Sequence, residues 1–242
     1  MSDPSPGWYP DPSGAPQDRW WDGTQWTSAI VPAANPEPIP LGAVRPEGPG
    51  DAPPGTVLFD EKIVGVGVYS RQLKVTPEQI TWGRETVTLD RIRGIAYWTT
   101  STVPAGTERF FVLHTPAAAW EVPLHSTKLG ASKRNNEEHY LRLVEIAEHL
   151  IEPRLCEKAL SLIAAGGEYN VGHLTLDRIG LRSATRVGTV SMPWSHVAGA
   201  RAADGVVVID GSDGGHPITI STELTNAMVV ARLVPVAVAH FG

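Results

Sequence analysis

LKVTPEQI, residues 73–80, returns further along the chain as LTLDRIGL, residues 174–181. Each reads as an alternating apolar and polar strand, a polar turn, and the apolar start of a second strand, which is a hairpin signal rather than a helical one. The correspondence spreads outward from there. TVTLDRIRGI (86–95) matches TVSMPWSHVAGA (189–200) with a small insertion, FFVLH (110–114) matches VVVID (206–210), and WEVPLHST (120–127) matches HPITISTE (216–223). Even the lead-ins agree, GVYSRQL before the first copy and GEYNVGHL before the second. Two copies of one fold is the economical reading.

Inside the first copy the strand candidates are Leu73–Thr76, Ile80–Trp82, Thr86–Leu89, Ile95–Thr99, Arg109–His114 and Ala119–Leu124, each bounded by Pro, Gly or polar turns. In the second, GVVVIDGSDGGHPITIS joins two strands through SDGG, residues that tolerate positive φ. The period then lengthens. NNEEHYLRLVEIAEHLI (135–151) sets Tyr140, Leu143, Val144, Ala147, Leu150 and Ile151 on one helical face, with Asn135 or Asn136 as the expected N-cap and Glu137 and Glu138 in the first turn. Pro153 is expected to open a separate helical segment ending at Gly166-Gly167, and the second copy closes with a helix over Leu224–Phe241. The expected fold class is mainly β with α (α+β), two bent antiparallel sheets each covered by a C-terminal helix, with burial at about 25 cal/mol per Å² of apolar surface holding each copy together. The strand order, the T-x-x-x-I/L turn and the single closing helix resemble bacterial pleckstrin-homology-like domains, over about 56–151 and 166–242. The resemblance implies a scaffold for peptide, protein or lipid contact that is rarely catalytic.

GWYPDPSGAPQDRWWDGTQWT, residues 7–27, holds four of the eight tryptophans. Asp22-Gly23 is a strong two-residue hairpin signal, which would oppose Trp21 to Thr24, Trp20 to Gln25 and Arg19 to Trp26 and put Trp21 and Trp26 on one face, Trp20 on the other. Trp8, Tyr9, Pro10, Asp11 and Pro12 are expected to lie as an extended segment across one face. So short a unit is far below the size that folds on an ordinary core, while each indole can bury about 150–250 Å². Some of this aromatic surface is therefore expected to meet a protein or Pro-rich peptide partner, with Trp8, Tyr9, Pro10, Asp11, Pro12, Trp20, Trp21 and Trp26 as contact residues. The segment resembles a short actinobacterial domain of unknown function marked by GWY-x-DP and then W-DG-x-x-W-T, here Gly7, Trp8, Tyr9, Asp11 and Pro12, then Trp21, Asp22, Gly23, Trp26 and Thr27. That family commonly precedes Pro-rich linkers, and its role is not established.

Residues 28–55 carry eight prolines and four glycines and are expected to be a disordered linker. The expected domains are thus a Trp-rich module (1–27), the linker (28–55), a first pleckstrin-homology-like domain (56–152), a connecting helix (153–167) and a second such domain (168–242). The first 55 residues hold seven acids against Arg19 and Arg45, whereas 56–152 hold 12 acids and 11 bases and 153–242 seven of each. A nearly neutral body behind an acidic leader argues against nucleic acid as a partner. The lone Cys156 leaves no internal disulfide and no cysteine-based zinc site. Met1 leads into polar, Pro-rich sequence, and the most apolar run, 227–241, is short and broken by Arg232 and Pro235, so a cytoplasmic location is expected, with membrane association as the alternative.

No nucleophile elbow, phosphate-binding loop or zinc-protease motif occurs. Gly65-Val-Gly67 lacks a third glycine and a following helix, Ser195-His196 are adjacent and so diverge on a strand, and Glu145 with His149 is more economically a solvated helical pair than a metal site. No cofactor or metal, and no enzymatic activity, is expected. Lipid binding would need cations converging on one end of a sheet; Arg91, Arg93, Lys128, Lys133 and Arg134 are the candidate anionic-lipid rim, whereas Arg178, Arg182 and Arg186 stand near acids. The expected function is a non-enzymatic protein- or peptide-binding adaptor, the alternative a peripheral lipid sensor. Open sheet edges make a homo-oligomer a further expectation.

Overall fold

Seventeen strands and three α-helices make up a computed structural model that describes residues 7–10, 12–13, 17–21, 24–32, 49, 52–64, 70–102, 106–124, 130–185 and 188–242. The chain divides into two compact units, Met1–Pro46 and Glu47–Gly242.

The first unit is a three-stranded antiparallel meander of β1 (Gly7–Pro10), β2 (Gln17–Trp21) and β3 (Trp26–Pro32), in the order β1-β2-β3. Its register differs from the sequence expectation in three ways. Trp21 opposes Trp26 directly, so the connection spans residues 22–25 rather than Asp22-Gly23 alone, and Arg19 opposes Ile30, with Trp20 set against residues 27–29 across an irregularity. The longer connection sets the two tryptophan positions opposite each other across the strands. Second, Trp8 to Pro10 is not laid over a face but paired as an edge strand, Trp8 opposite Trp20 and Tyr9 opposite Arg19. Third, Ile30 and Val31 carry β3 five residues past Thr27, into the stretch read as linker, as β-branched residues favour. Asp11, and residues 33–48 and 50–51 of that linker, lie outside the described residues.

In the second unit the sequence repeat is a structural repeat. β4 (Phe59–Val64), β5 (Ser70–Val75), β6 (Gln79–Trp82) and β7 (Glu85–Thr88) form a four-stranded meander, and β8 (Gly94–Thr102), β9 (Gly106–His114) and β10 (Ala119–Pro123) a three-stranded one. After the helices, β11 (Tyr169–Val171), β12 (Leu174–Leu176), β13 (Gly180–Thr185) and β14 (Gly188–Pro193), then β15 (Val197–Ala203), β16 (Val206–Gly211) and β17 (Ile218–Ser221), repeat four strands and three. Equivalent turns are built by equivalent residues. The Thr76 Oγ1 accepts from the backbone N–H of Glu78 and Gln79, and the Asp177 Oδ1 accepts from Ile179 and Gly180, so one short polar side chain closes the same hairpin in each copy. A 3-10 turn links the sheets in both, Leu89–Arg91 and Trp194–His196.

The helices depart from expectation at Pro153. α1 (Gly130–Ile146) begins before Asn135 and Asn136, which therefore sit inside it, and it runs through a π-helical turn, Ala147–Ile151, directly into α2 (Glu152–Ala164). Proline removes one backbone donor and crowds the preceding turn; the wider π turn absorbs both, so the helix continues instead of restarting. It stops at Gly166, whose φ of +86° is the left-handed cap glycine adopts freely, with Gly166 and Gly167 N–H bonded to the Ile163 and Leu162 carbonyls. The central helix thus serves both copies. Tyr140, Leu143, Ile146 and Ala147 are buried on the first, while Leu155, Cys156, Ala159 and Ile163 are buried on α2, which packs against α3 (Ala227–Phe241) and β11. One continuous apolar cluster runs from Phe59 to Ala237.

Candidate functional site

Where the central helix passes from one copy to the other, it leaves a cleft of about 440 Å³ between the 89–93 turn, one face of α2 and the start of β11. Its floor is apolar: Ile92, Leu155 and Ala159 are buried, and Leu162 forms the rim at 45% exposure. In Arg91-Ile92-Arg93 the middle residue turns inward, and both guanidinium-bearing residues line the opening. Leu155, Lys158, Ala159 and Leu162 follow i, i+3, i+4, i+7 spacing and so share one helical face. Lys158 Nζ donates to the carbonyl of Asp90 and, at 3.5 Å, to that of Ile92, which holds the ammonium at the cleft. Among the described residues no carboxylate lies within ion-pair distance of Arg91 or Arg93. Asp90 is the one acid among the described lining residues; the Thr88 hydroxyl, then its own backbone N–H and the fields of Lys158 and Arg91, hold its carboxyl below the usual value. Tyr169 closes the far wall. Its hydroxyl is buried beside Asn226, and burial pushes the phenol well above its ordinary pKa. Arg91 also borders a smaller hollow of about 260 Å³ with Glu85, Thr86, Thr115 and Trp120.

Of the expected anionic rim, Arg91 and Arg93 come together, on a 3-10 turn and the residues after it. Lys128, and the side chains of Lys133 and Arg134 on α1, lie outside the described residues. Lys158 was missed, though a lysine set in an apolar helical stripe beside Leu162 was a signal for it. Arg182 is occupied, paired with Glu168 at 2.6 Å and Asp177 at 3.2 Å.

In the N-terminal unit, register brings Trp8 opposite Trp20 and Trp21 opposite Trp26. Trp26 is 38% exposed and Pro12 is exposed. The other expected contact side chains, those of Trp8, Tyr9, Pro10, Asp11, Trp20 and Trp21, lie outside the described residues.

Ser195 and His196 occupy the exposed 3-10 turn rather than a strand. Glu145 is engaged by Arg142 at 2.5 Å, and the His149 Nδ1 meets the Glu145 carbonyl at 2.8 Å. Among the described residues no three His, Cys, Asp or Glu are grouped to hold a metal ion, and no helix is long and apolar enough to cross a membrane.

Residues 6–38 match the family described as "Protein of unknown function (DUF2510)", a match that covers all three strands of the first unit and reaches past Pro32. No curated protein and no solved structure matches the chain.

Proposed function

We propose that the protein is a non-enzymatic, cytoplasmic adaptor in which the three-stranded N-terminal module captures a protein or Pro-rich peptide and the repeated body, a tandem of pleckstrin-homology-like folds, provides a second platform. The observation that carries this reading is the Trp21–Trp26 cross-strand pair with Trp26 partly open to solvent. Indole is the side chain most enriched where binding energy concentrates, because it offers large rigid area at low entropic cost. A meander of this length has too little core to hide all its aromatic residues, and a partner's extended or Pro-rich segment is the natural complement. The four-plus-three strand count with a closing helix in each copy supports the platform half of the proposal. Tethering two contact units on one chain raises the effective concentration of the second after the first engages.

The test is affinity capture with the full-length chain against Trp26→Ala, with Trp20→Ala as a second variant. Loss of the same captured proteins in both variants, with the body still folded by circular dichroism, supports capture by the aromatic module. Identical captured proteins from all three chains would move binding to the repeated body.

A further inference from the structure

We propose that the cleft between the two copies binds a phosphate monoester carried on a small apolar or aromatic body. The cleft exists only because the repeat is joined as it is. The first copy contributes Arg91, Ile92 and Arg93, the shared helix contributes Leu155, Lys158, Ala159 and Leu162, and the second copy contributes Tyr169. Either copy on its own would lack the wall that the other supplies.

Charge selects the ligand. Three cations, Arg91, Arg93 and Lys158, face one carboxylate, Asp90. That surplus of two matches a phosphate monoester, which carries about −1.5 to −2 at neutral pH. Guanidinium forks pair with phosphate oxygens in a bidentate way, and the ammonium, already oriented by two backbone carbonyls, retains a proton for a third contact. Shape selects the rest. A volume of about 440 Å³ exceeds what an inorganic anion fills and lies within the usual range for small organic ligands. The floor of Ile92, Leu155 and Ala159, with Leu162 half-exposed at the lip, is unspent apolar surface beside the cations. An aromatic or alkyl body covering it would add the burial term that inorganic phosphate lacks.

The test is calorimetric titration of the full-length chain with phenyl phosphate, with inorganic phosphate and phenol as separate titrants. Vesicles of phosphatidylcholine with and without phosphatidic acid form a further arm. The proposal expects phenyl phosphate to bind more tightly than inorganic phosphate and phenol not to bind, with affinity falling as salt rises. The exposed double variant Arg91→Ala/Arg93→Ala should weaken phenyl phosphate about 10- to 100-fold, from the loss of charge-assisted hydrogen bonds. Leu162→Glu, also at the surface, should weaken it without touching either arginine. Phosphatidic acid vesicles bound by the native chain and released by the double variant would assign the phosphate to a lipid. Vesicles ignored while phenyl phosphate binds would assign it to a soluble ester, and either result supports the cleft. No binding of phenyl phosphate, or binding that a folded double variant retains, overturns the proposal.

Discussion

Asn226 pairs with Ile95 the way a neighbouring strand would. The Ile95 N–H donates to the Asn226 Oδ1 at 2.9 Å, and the Asn226 N–H donates back to the Ile95 carbonyl at 2.7 Å. Its Nδ2 reaches the Arg93 carbonyl at 3.4 Å. β8 is an edge strand of its sheet, so a single residue at the start of α3 satisfies backbone groups that would otherwise be exposed or buried unpaired. The two copies are thereby joined by one backbone and two side-chain hydrogen bonds of Asn226 as well as by the shared helix.

Asn226 does this in the left-handed region, at φ 68° and ψ 14°. Asparagine is among the few non-glycine residues that enter that region readily, and alanine is not. Asn226→Ala should therefore cost about 1–3 kcal/mol from the orphaned Ile95 N–H, plus backbone strain of about 1–2 kcal/mol. Asn226→Gly loses the same hydrogen bonds without the strain. Urea unfolding of the three chains should rank wild type above Gly and Gly above Ala; Ala equal to Gly would remove backbone strain from the account.

Gly94 marks the same contact from the other side. A Cβ at that position would stand 2.5 Å from the Thr225 Cγ2 and 3.0 Å from the Asn226 Oδ1. Gly94→Ala should destabilise by about 1–3 kcal/mol, the usual cost of overpacking. Thr225→Ser removes the nearest clashing methyl and keeps the hydroxyl that meets the His114 Nε2 at 2.9 Å. The double variant should thus recover much of the loss, a coupling of 0.5 kcal/mol or more by the usual scale of contacting pairs. Strictly additive single effects would show that the close approach relaxes without Thr225.

How much of this was readable beforehand follows from what local sequence can encode. The repeated hairpin was legible because Thr76 and Asp177 do their work within three residues of themselves, and because strand alternation is local. The helix after Gly130 was legible in its apolar face but not in its passage through Pro153, since the π turn is a tertiary solution to a local conflict. The Trp21–Trp26 register is not legible because Asp22-Gly23 signals a two-residue turn, whereas the connection between β2 and β3 is four residues long. The cleft was half-visible, in Arg91 and Arg93. Lys158 and Tyr169 join them only once the copies pack, and no spacing rule connects residues that far apart.

Glu152 lies at the packed centre of the joint, 3% exposed, and takes a hydrogen bond from the Tyr97 hydroxyl and one from the Arg232 Nε at 3.3 Å. It therefore ties β8, the central helix and α3 together. Burial, and then the charge of Glu152, drives the Tyr97 phenol far above its ordinary pKa, so it stays a donor across the physiological range. Arg232→Met should cost about 1.5–3 kcal/mol, because it leaves a buried carboxylate with one partner where it had two. Adding Glu152→Gln to that variant should restore part of the loss. If the double variant were as unstable as the sum of the singles, Glu152 would not be acting through its charge.

Glu148, one turn earlier, gives the joint a pH dependence of defined sign. Burial first, and then the neighbouring Glu152, raise its carboxyl above 4.5, while His149 and Arg232 pull the other way and Glu145 adds to the rise. A raised folded-state value means that the native protein holds this proton more tightly than the unfolded chain. Stability from this group is therefore full below the unfolded value and declines as pH rises from about 4.5 through the folded value. Glu148→Gln removes the titration but keeps the Glu148 backbone carbonyl that accepts from the Arg232 guanidinium at 2.9 Å. Urea unfolding across about pH 4–7 should show the Gln variant gaining on wild type as pH rises and levelling off above the window. Asp90 and Glu78 have lowered values, so their contribution disappears at the acid end instead, as pH falls below 3.8 and 4.5, and acts with opposite sign. A Gln variant whose stability runs parallel to wild type over the whole range would mean that Glu148 titrates alike in both states.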